Sequence, residues 1–181
     1  MAKIQVMKHL TNYINIRKKS SIIKVPDDKS FTIIREQLDK LGPDADLNHL
    51  DVSECKNFTG LFWSSHFSDV LNPDISKWNV SNVEYMGLMF KNCKKFNCDL
   101  SEWDMSSCRN TGEMFQNCYE FNQDLSNWDM RNVDQARGMF KSCRKFDQDL
   151  SKWQFHKLCD LDDIFEDCKI REEWKPLQCR K

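Results

Sequence analysis

A chain of 181 residues that balances 27 Lys/Arg against 28 Asp/Glu has no excess charge to draw it to nucleic acid or to an anionic membrane. A chain of that length buries roughly 70% of its unfolded surface, so no disulfide or metal staple is needed to hold a core. Nowhere does an apolar run reach the 18 or so residues of a membrane span. The charge is slightly uneven: residues 1–46 carry nine Lys/Arg against six Asp/Glu, and the remainder is acidic. The start, MAKIQVMKHLTNYINIRKK, lacks the uninterrupted apolar segment that export requires, so an intracellular setting is expected.

In chain order, Met7, Leu10 and Tyr13/Ile14 recur at helical spacing and predict a helix over 4–17, ended by the basic run Arg17-Lys18-Lys19. Ile22, Ile23 and Val25 suit a short strand or an extended linker before Pro26. Asp28 or Ser30 can then cap a second helix. Its apolar face is Phe31, Ile34, Leu38 and Leu41, and Gly42-Pro43 stops it. A helix of this kind, placed directly ahead of a repeat array, covers the apolar end of the first repeat.

The array itself is written in columns. Trp78, Trp103, Trp128 and Trp153 follow a 25-residue step, as do Phe90, Phe115, Phe140 and Phe165, and Cys93, Cys118, Cys143 and Cys168. A fixed period of this size is the signature of a stacked solenoid. The first repeat is disguised. DADLNHLDVSECKNFTGLF aligns with PDISKWNVSNVEYMGLMF at an offset of 28, Leu50 taking the Trp position and Val52 matching Val80. Three extra residues in WSSHFSDV place Trp63, His66 and Phe67 on a bulge.

Within the third repeat the inward set is Leu100, Trp103, Met105, Cys108, Met114, Phe115, Cys118 and Phe121. DLSEW reads as a minimal strand centred on Leu100, and residues 107–118 carry helical spacing after the capping candidates Asp104 and Ser106. The expected fold is therefore an α/β, leucine-rich-repeat-like right-handed solenoid of about five coils, with short parallel strands on one side and short helices on the other. Its divisions are an N-terminal helical cap (1–46), the solenoid (47–171, in units 47–71, 72–96, 97–121, 122–146 and 147–171) and a C-terminal lid (172–181). The last coil contributes Trp153, Phe155, Leu158, Leu161, Ile164, Phe165 and Cys168, and Ile170, Trp174, Pro176 and Leu177 form the lid.

The unit FNQDLSNWDM-x-NV…MF-x-x-C-x-x-F resembles the short tryptophan-containing repeats of BspA-type leucine-rich-repeat surface proteins, also known as the mycoplasma-type lipoprotein repeat of unknown function. The lead-in resembles that family too: an amphipathic helix, then DADLNHLDVSE, then FTGLF, so the likeness spans residues 29–170. It implies a solenoid related to leucine-rich repeats and a role in protein interaction or adhesion. Members occur in bacteria, protists and large DNA viruses, many secreted or surface-anchored.

Candidate chemistry is sparse. Asp74, Asp99, Asp124 and Asp149 recur at one phase, followed two residues on by Ser76, Ser101, Ser126 and Ser151. Strand alternation would send this row outward, where it could bind a cation or a basic partner. The competing reading closes each Asp onto nearby backbone N–H groups in an Asx turn. Asn97, Asn122 and Asp147, with Gln123 and Gln148, offer a similar choice between a side-chain ladder and a recognition surface. The Trp column reads as packing, each indole N–H requiring a partner, and the cysteines as small buried hydrophobes.

His156, Cys159, Cys168 and Cys179 lie close in sequence but lack the knuckle spacing of a zinc site, so no metal or cofactor is expected. No Gly-rich phosphate loop or GxSxG elbow exists among five glycines, and the four histidines occupy unrelated phases, so no enzyme is expected. Lys91/Lys94/Lys95, Arg109 and Lys141/Arg144/Lys145 are balanced by Glu84, Glu120 and Asp134 and read as a solvated mixed face. The reading is a non-catalytic module that binds an unidentified protein through the outer Asp/Ser row together with Trp63 and His66. The second reading is a self-assembling component of a viral or cell-surface layer, in which copies of this chain form a homo-oligomer.

Overall fold

The computed structural model describes residues 22–63 and 65–180. The helix expected over 4–17 lies outside the described residues. Strand β1 (Ile23–Lys24) pairs in parallel with strand β2 (Leu50–Asp51), Ile23 opposite Leu50. Between them a 3-10 turn (Asp27–Lys29) leads into helix α1 (Ser30–Leu41). Neither Asp28 nor Ser30 caps α1: Lys29 stands at the N-cap without a side-chain bond, and the Ser30 hydroxyl donates instead to the Asp27 carbonyl at 3.0 Å. The helix stops at Gly42, whose φ of 98° few side-chain-bearing residues adopt and whose N–H returns to the Leu38 carbonyl.

Ile34 and Leu38 of α1 are buried, whereas Phe31 and Leu41, expected on the same face, are 36% and 39% exposed. Arg35 fixes the helix on the first coil: its Nε donates to the Leu61 carbonyl at 2.9 Å and one Nη to that of Gly60 at 3.2 Å.

From residue 46 onward successive repeats lie on one another. Parallel bridges join Asp46 to Asp74 and Asn57 to Tyr85 at an offset of 28, then Tyr85, Asn110, Gln135 and Asp160 in turn at an offset of 25. The interior is a set of aromatic columns. Phe62, Phe90, Phe115, Phe140 and Phe165 stack at 5.5–5.6 Å between ring centroids. Phe96, Phe121 and Phe146 form a second column at 5.9 Å. Trp103, Trp128 and Trp153 form a third at 6.4 and 6.2 Å, with planes within 4° of parallel. Each indole N–H finds its partner one coil back: Trp78 donates to Leu47, Trp103 to Ile75, Trp128 to Leu100 and Trp153 to Leu125, all to carbonyls at 2.9–3.2 Å. A column of large aromatics thus stays dry without an orphaned donor.

Turns stand where strands and helices were expected. DLSEW forms no strand, and residues 107–118 contain no helix. In the second segment every other amide closes a turn, Met114 to Thr111, Gln116 to Glu113 and Cys118 to Phe115. The amides between them cross to the next coil: Glu113 donates to Arg137, Phe115 to Met139 and Asn117 to Lys141. The alternation rests on positive φ at two phases of the repeat. Leu88, Glu113, Gly138 and Asp163 occupy the first, and Asn92, Asn117, Ser142 and Asp167 the second, with φ of 53–65°. Positive φ at the third position of a hydrogen-bonded turn is what a type II turn demands. A helix would satisfy its amides internally and leave nothing to bind the next coil.

The last coil is looser than the others. Trp153, Phe155 and Ile164 are buried, Leu161, Phe165 and Cys168 half-buried, and Leu158 is 76% exposed. Over the lid segment Ile170 and Pro176 are buried and Leu177 faces solvent. The Trp174 carbonyl accepts from the Leu150 N–H, and the Gln178 amide exchanges two hydrogen bonds with the Phe155 backbone.

Candidate functional site

The Asp/Ser row is held by its own backbone. In all four coils the Asp Oδ1 accepts from the amide of the Ser two residues on: Asp74 from Ser76, Asp99 from Ser101, Asp124 from Ser126 and Asp149 from Ser151, at 2.8–3.1 Å. This is the Asx geometry, and it turns the chain toward the buried Trp two residues further on. All four aspartates are exposed. Burial works against ionisation of Asp74, but hydrogen bonds from Asn48 and Ser76 outweigh it and hold the carboxyl below its ordinary range. Hydrogen bonds from Ser151 lower Asp149 in the same way.

The neighbouring amide row closes similarly. Asn72, Asn97 and Asn122 each accept, through Oδ1, the backbone N–H of residue 97, 122 or 147 in the following coil, at 2.8–2.9 Å. Gln123 and Gln148 donate back to the carbonyls of Asn97 and Asn122. The row is a ladder that ties coil to coil.

Trp63 and His66 sit at the other end of the molecule from the lid, on the bulge after the first coil. Trp63 is 42% exposed, and the Lys91 ammonium lies 5.6 Å from its ring centroid. His66 packs its ring 3.9 Å from that of Phe67, with Nδ1 3.8 Å from a carboxylate oxygen of Asp39 on α1. Val70 on the same bulge is 44% exposed. Leu41 at the end of α1 is exposed as well. The sequence nominated Trp63 and His66 from the three-residue insertion, but nothing in it pointed to Val70.

Most members of the basic clusters are paired with acids of adjacent coils. Lys91 meets Glu113, Lys94 meets Asp69, Lys141 meets Asp163 and Glu166, and Lys145 meets Glu120. Arg144 lies over the Tyr119 ring at 4.3 Å. The Cys column is locked away: Cys118 and Cys143 donate through Sγ to the carbonyls of Phe90 and Phe115, each at 3.0 Å. Burial pushes both thiols well above their ordinary range and pushes Cys93 up to about 12. Such thiols are poor nucleophiles, since the thiolate is the reactive form. Cys159, Cys168 and Cys179 are half-buried, and among the described residues no group of three or more His, Cys, Asp or Glu side chains is placed to hold a metal ion. No helix among the described residues is long and apolar enough to cross a membrane.

A family model described as "Mycoplasma protein of unknown function, DUF285" matches residues 63–174, from the bulge through the fourth regular coil and into the lid. No curated protein and no solved structure matches the chain.

Proposed function

The chain belongs to that Mycoplasma-type family of unknown function, and from this premise we propose that it is a non-catalytic protein-interaction module of the BspA-like leucine-rich-repeat kind, its coils forming a solenoid. The observation that carries this reading is Trp63: a large aromatic left 42% exposed on a bulge of an otherwise regular stack, with a cation beside its ring. Exposed Trp flanked by apolar and cationic groups is the composition of binding hot spots. The bulge is anchored at its base by coil-to-coil bonds, Gly60 to Gly87 and Phe62 to Met89, so the patch is presented on a rigid support. The Asp/Ser row commits one carboxylate oxygen per coil to its turn and contributes charge along the flank.

The side chains that could do chemistry support the same conclusion, because the regular thiols are buried and raised and the row acids close turns. Arg35 already occupies carbonyls at the edge of the first coil, which favours a binding module over end-to-end assembly of copies.

The test is capture from the native source with tagged wild-type chain and with the double variant Trp63→Ala/Val70→Asp, both checked for wild-type circular dichroism. Proteins retained by the wild type and lost by the folded variant support the reading. Identical sets of captured proteins would remove the patch.

A further inference from the structure

Every internal coil hands four amide protons to the coil that follows. Met86, Leu88, Phe90 and Asn92 donate to carbonyls of the next coil. So do Thr111, Glu113, Phe115 and Asn117, and then Ala136, Gly138, Phe140 and Ser142, all at 2.7–2.9 Å. The bonds run one way: this stretch of each coil shows N–H groups on its leading edge and carbonyls on its trailing edge. At the start of the stack Arg35 meets the trailing carbonyl of Leu61 and the turn-closing carbonyl of Gly60. At the end, the equivalent donors are Leu161, Asp163, Phe165 and Asp167, and among the described residues none of these four amides has an acceptor. The lid bonds elsewhere, to Leu150 and Phe155.

The same edge differs from its predecessors in two further ways. Phe165 and Leu161 are half-buried, whereas Phe140 and Ala136, one coil earlier, are covered. Residues 160–167, DLDDIFED, carry five acids and no base. Arg137 and Lys141 of the preceding coil pair with Asp162, Asp163 and Glu166, and the excess negative charge of the edge rests on Asp160 and Asp167. Unpaired backbone donors are a template for another chain, and a partner adding itself to such an edge takes affinity from main-chain bonds and selectivity from its side chains.

We infer that this edge is a docking site for a basic segment of another protein. The segment offers backbone carbonyls to the four amides, an apolar side chain to Phe165, and Lys or Arg to the acids. The site is distinct from the Trp63 patch at the opposite end of the stack and does not rest on it.

The probe is a synthetic peptide of residues 131–146 with Cys143→Ser. It carries five Lys/Arg and one Asp, and in the intact chain its carbonyls already seat on the amides of the third coil. Amide hydrogen exchange is followed by NMR on the full chain. Without peptide, Leu161, Asp163, Phe165 and Asp167 should exchange freely while Gly138, Phe140 and Ser142 are protected. With peptide, the four should slow by about tenfold or more, and a scrambled peptide of the same composition should leave them unchanged. The double variant Asp160→Asn/Asp167→Asn, in which Asn keeps the bond that Asp160 accepts from the Asp162 amide and the left-handed preference at 167, should weaken binding by about tenfold. Protection of the four amides in the free chain, or equal effects of the ordered and scrambled peptides, would overturn the site. Unchanged affinity in the double variant would overturn its assignment to a basic partner.

Discussion

The indole of Trp128 donates its Nε1 proton to the carbonyl of Leu100 at 2.9 Å, across the boundary between two coils. One side chain therefore fills the dry interior, stacks on Trp103 and Trp153, and satisfies a backbone group of its neighbour. Trp128→Ala should cost about 3–5 kcal/mol, as for other fully packed aromatics. Trp128→Phe should keep most of the packing and remove one of the two hydrogen bonds that the Leu100 carbonyl accepts, the Trp103 N–H remaining, a loss of about 0.5–1.5 kcal/mol. Urea titration followed by circular dichroism separates the two, and a loss below about 1 kcal/mol for the alanine variant would show that the column does not bear on stability.

The Asp/Ser row can be dissected because Asn serves as well as Asp in an Asx turn. Asn79 already does so in this chain, its Oδ1 accepting from the Ser81 amide at 3.2 Å. Replacing Asp99, Asp124 and Asp149 by Ala should cost about 0.5–1.5 kcal/mol at each position, the net worth of a hydrogen bond. Replacing all three by Asn should leave the denaturation midpoint nearly unchanged while removing three negative charges. A triple Asn variant that unfolds as readily as the triple Ala would mean that charge, not turn geometry, holds these residues in place.

These turns also explain what could be read from the sequence and what could not. Trp, Phe and Cys at a constant step announce stacking, because only side chains one coil apart can share a column. The offset of 28 in the first repeat is visible in Leu50 and Val52 and is the register the bridges adopt. The local conformation is hidden. Met114, Phe115 and Cys118 fall at spacings of one and three, which a helix and a chain of four-residue turns both produce. The deciding feature is positive φ at Glu113 and Asn117, and only Gly138 and the two Asn residues at these phases hint at it. The open amide edge of the last coil is invisible for the same reason, since it depends on which way alternate N–H groups point.

Stability should fall on the alkaline side. Burial raises Cys55, Cys93 and Cys108 from an ordinary value near 9 to about 12 in the folded chain. Below pH 9 both states keep these protons and the thiols contribute no pH dependence. Between about 9 and 12 the unfolded chain releases protons that the folded chain retains, so stability drops steadily with rising pH. Asp51, Asp74 and Asp149 work in the opposite sense: their folded values are lowered, so the stability they contribute above pH 3.8 is lost on acidification. Denaturation midpoints measured from pH 3 to 10.5 should form a plateau with two falling shoulders. A flat profile above pH 9 would mean that the thiols are not buried.

Ser142 tests the turn chain directly. Its φ is 60°, and its N–H donates to the Glu166 carbonyl of the last coil. A β-branched residue cannot reach that backbone without strain. Ser142→Val should therefore cost about 1–3 kcal/mol, although the position is only half-buried and Val is not much larger than Ser. Ser142→Gly removes the left-handed penalty but adds freedom to the unfolded chain, so its midpoint should lie within about 1 kcal/mol of the wild type. If the last coil is held chiefly by the crossing amides, the valine variant should also speed amide exchange at Gly138 and Phe140, which donate to that coil from the same edge. Equal stability of the Val and Gly variants would mean that residue 142 does not occupy the left-handed region, and that the alternation of turn-closing and coil-joining amides fails at this position.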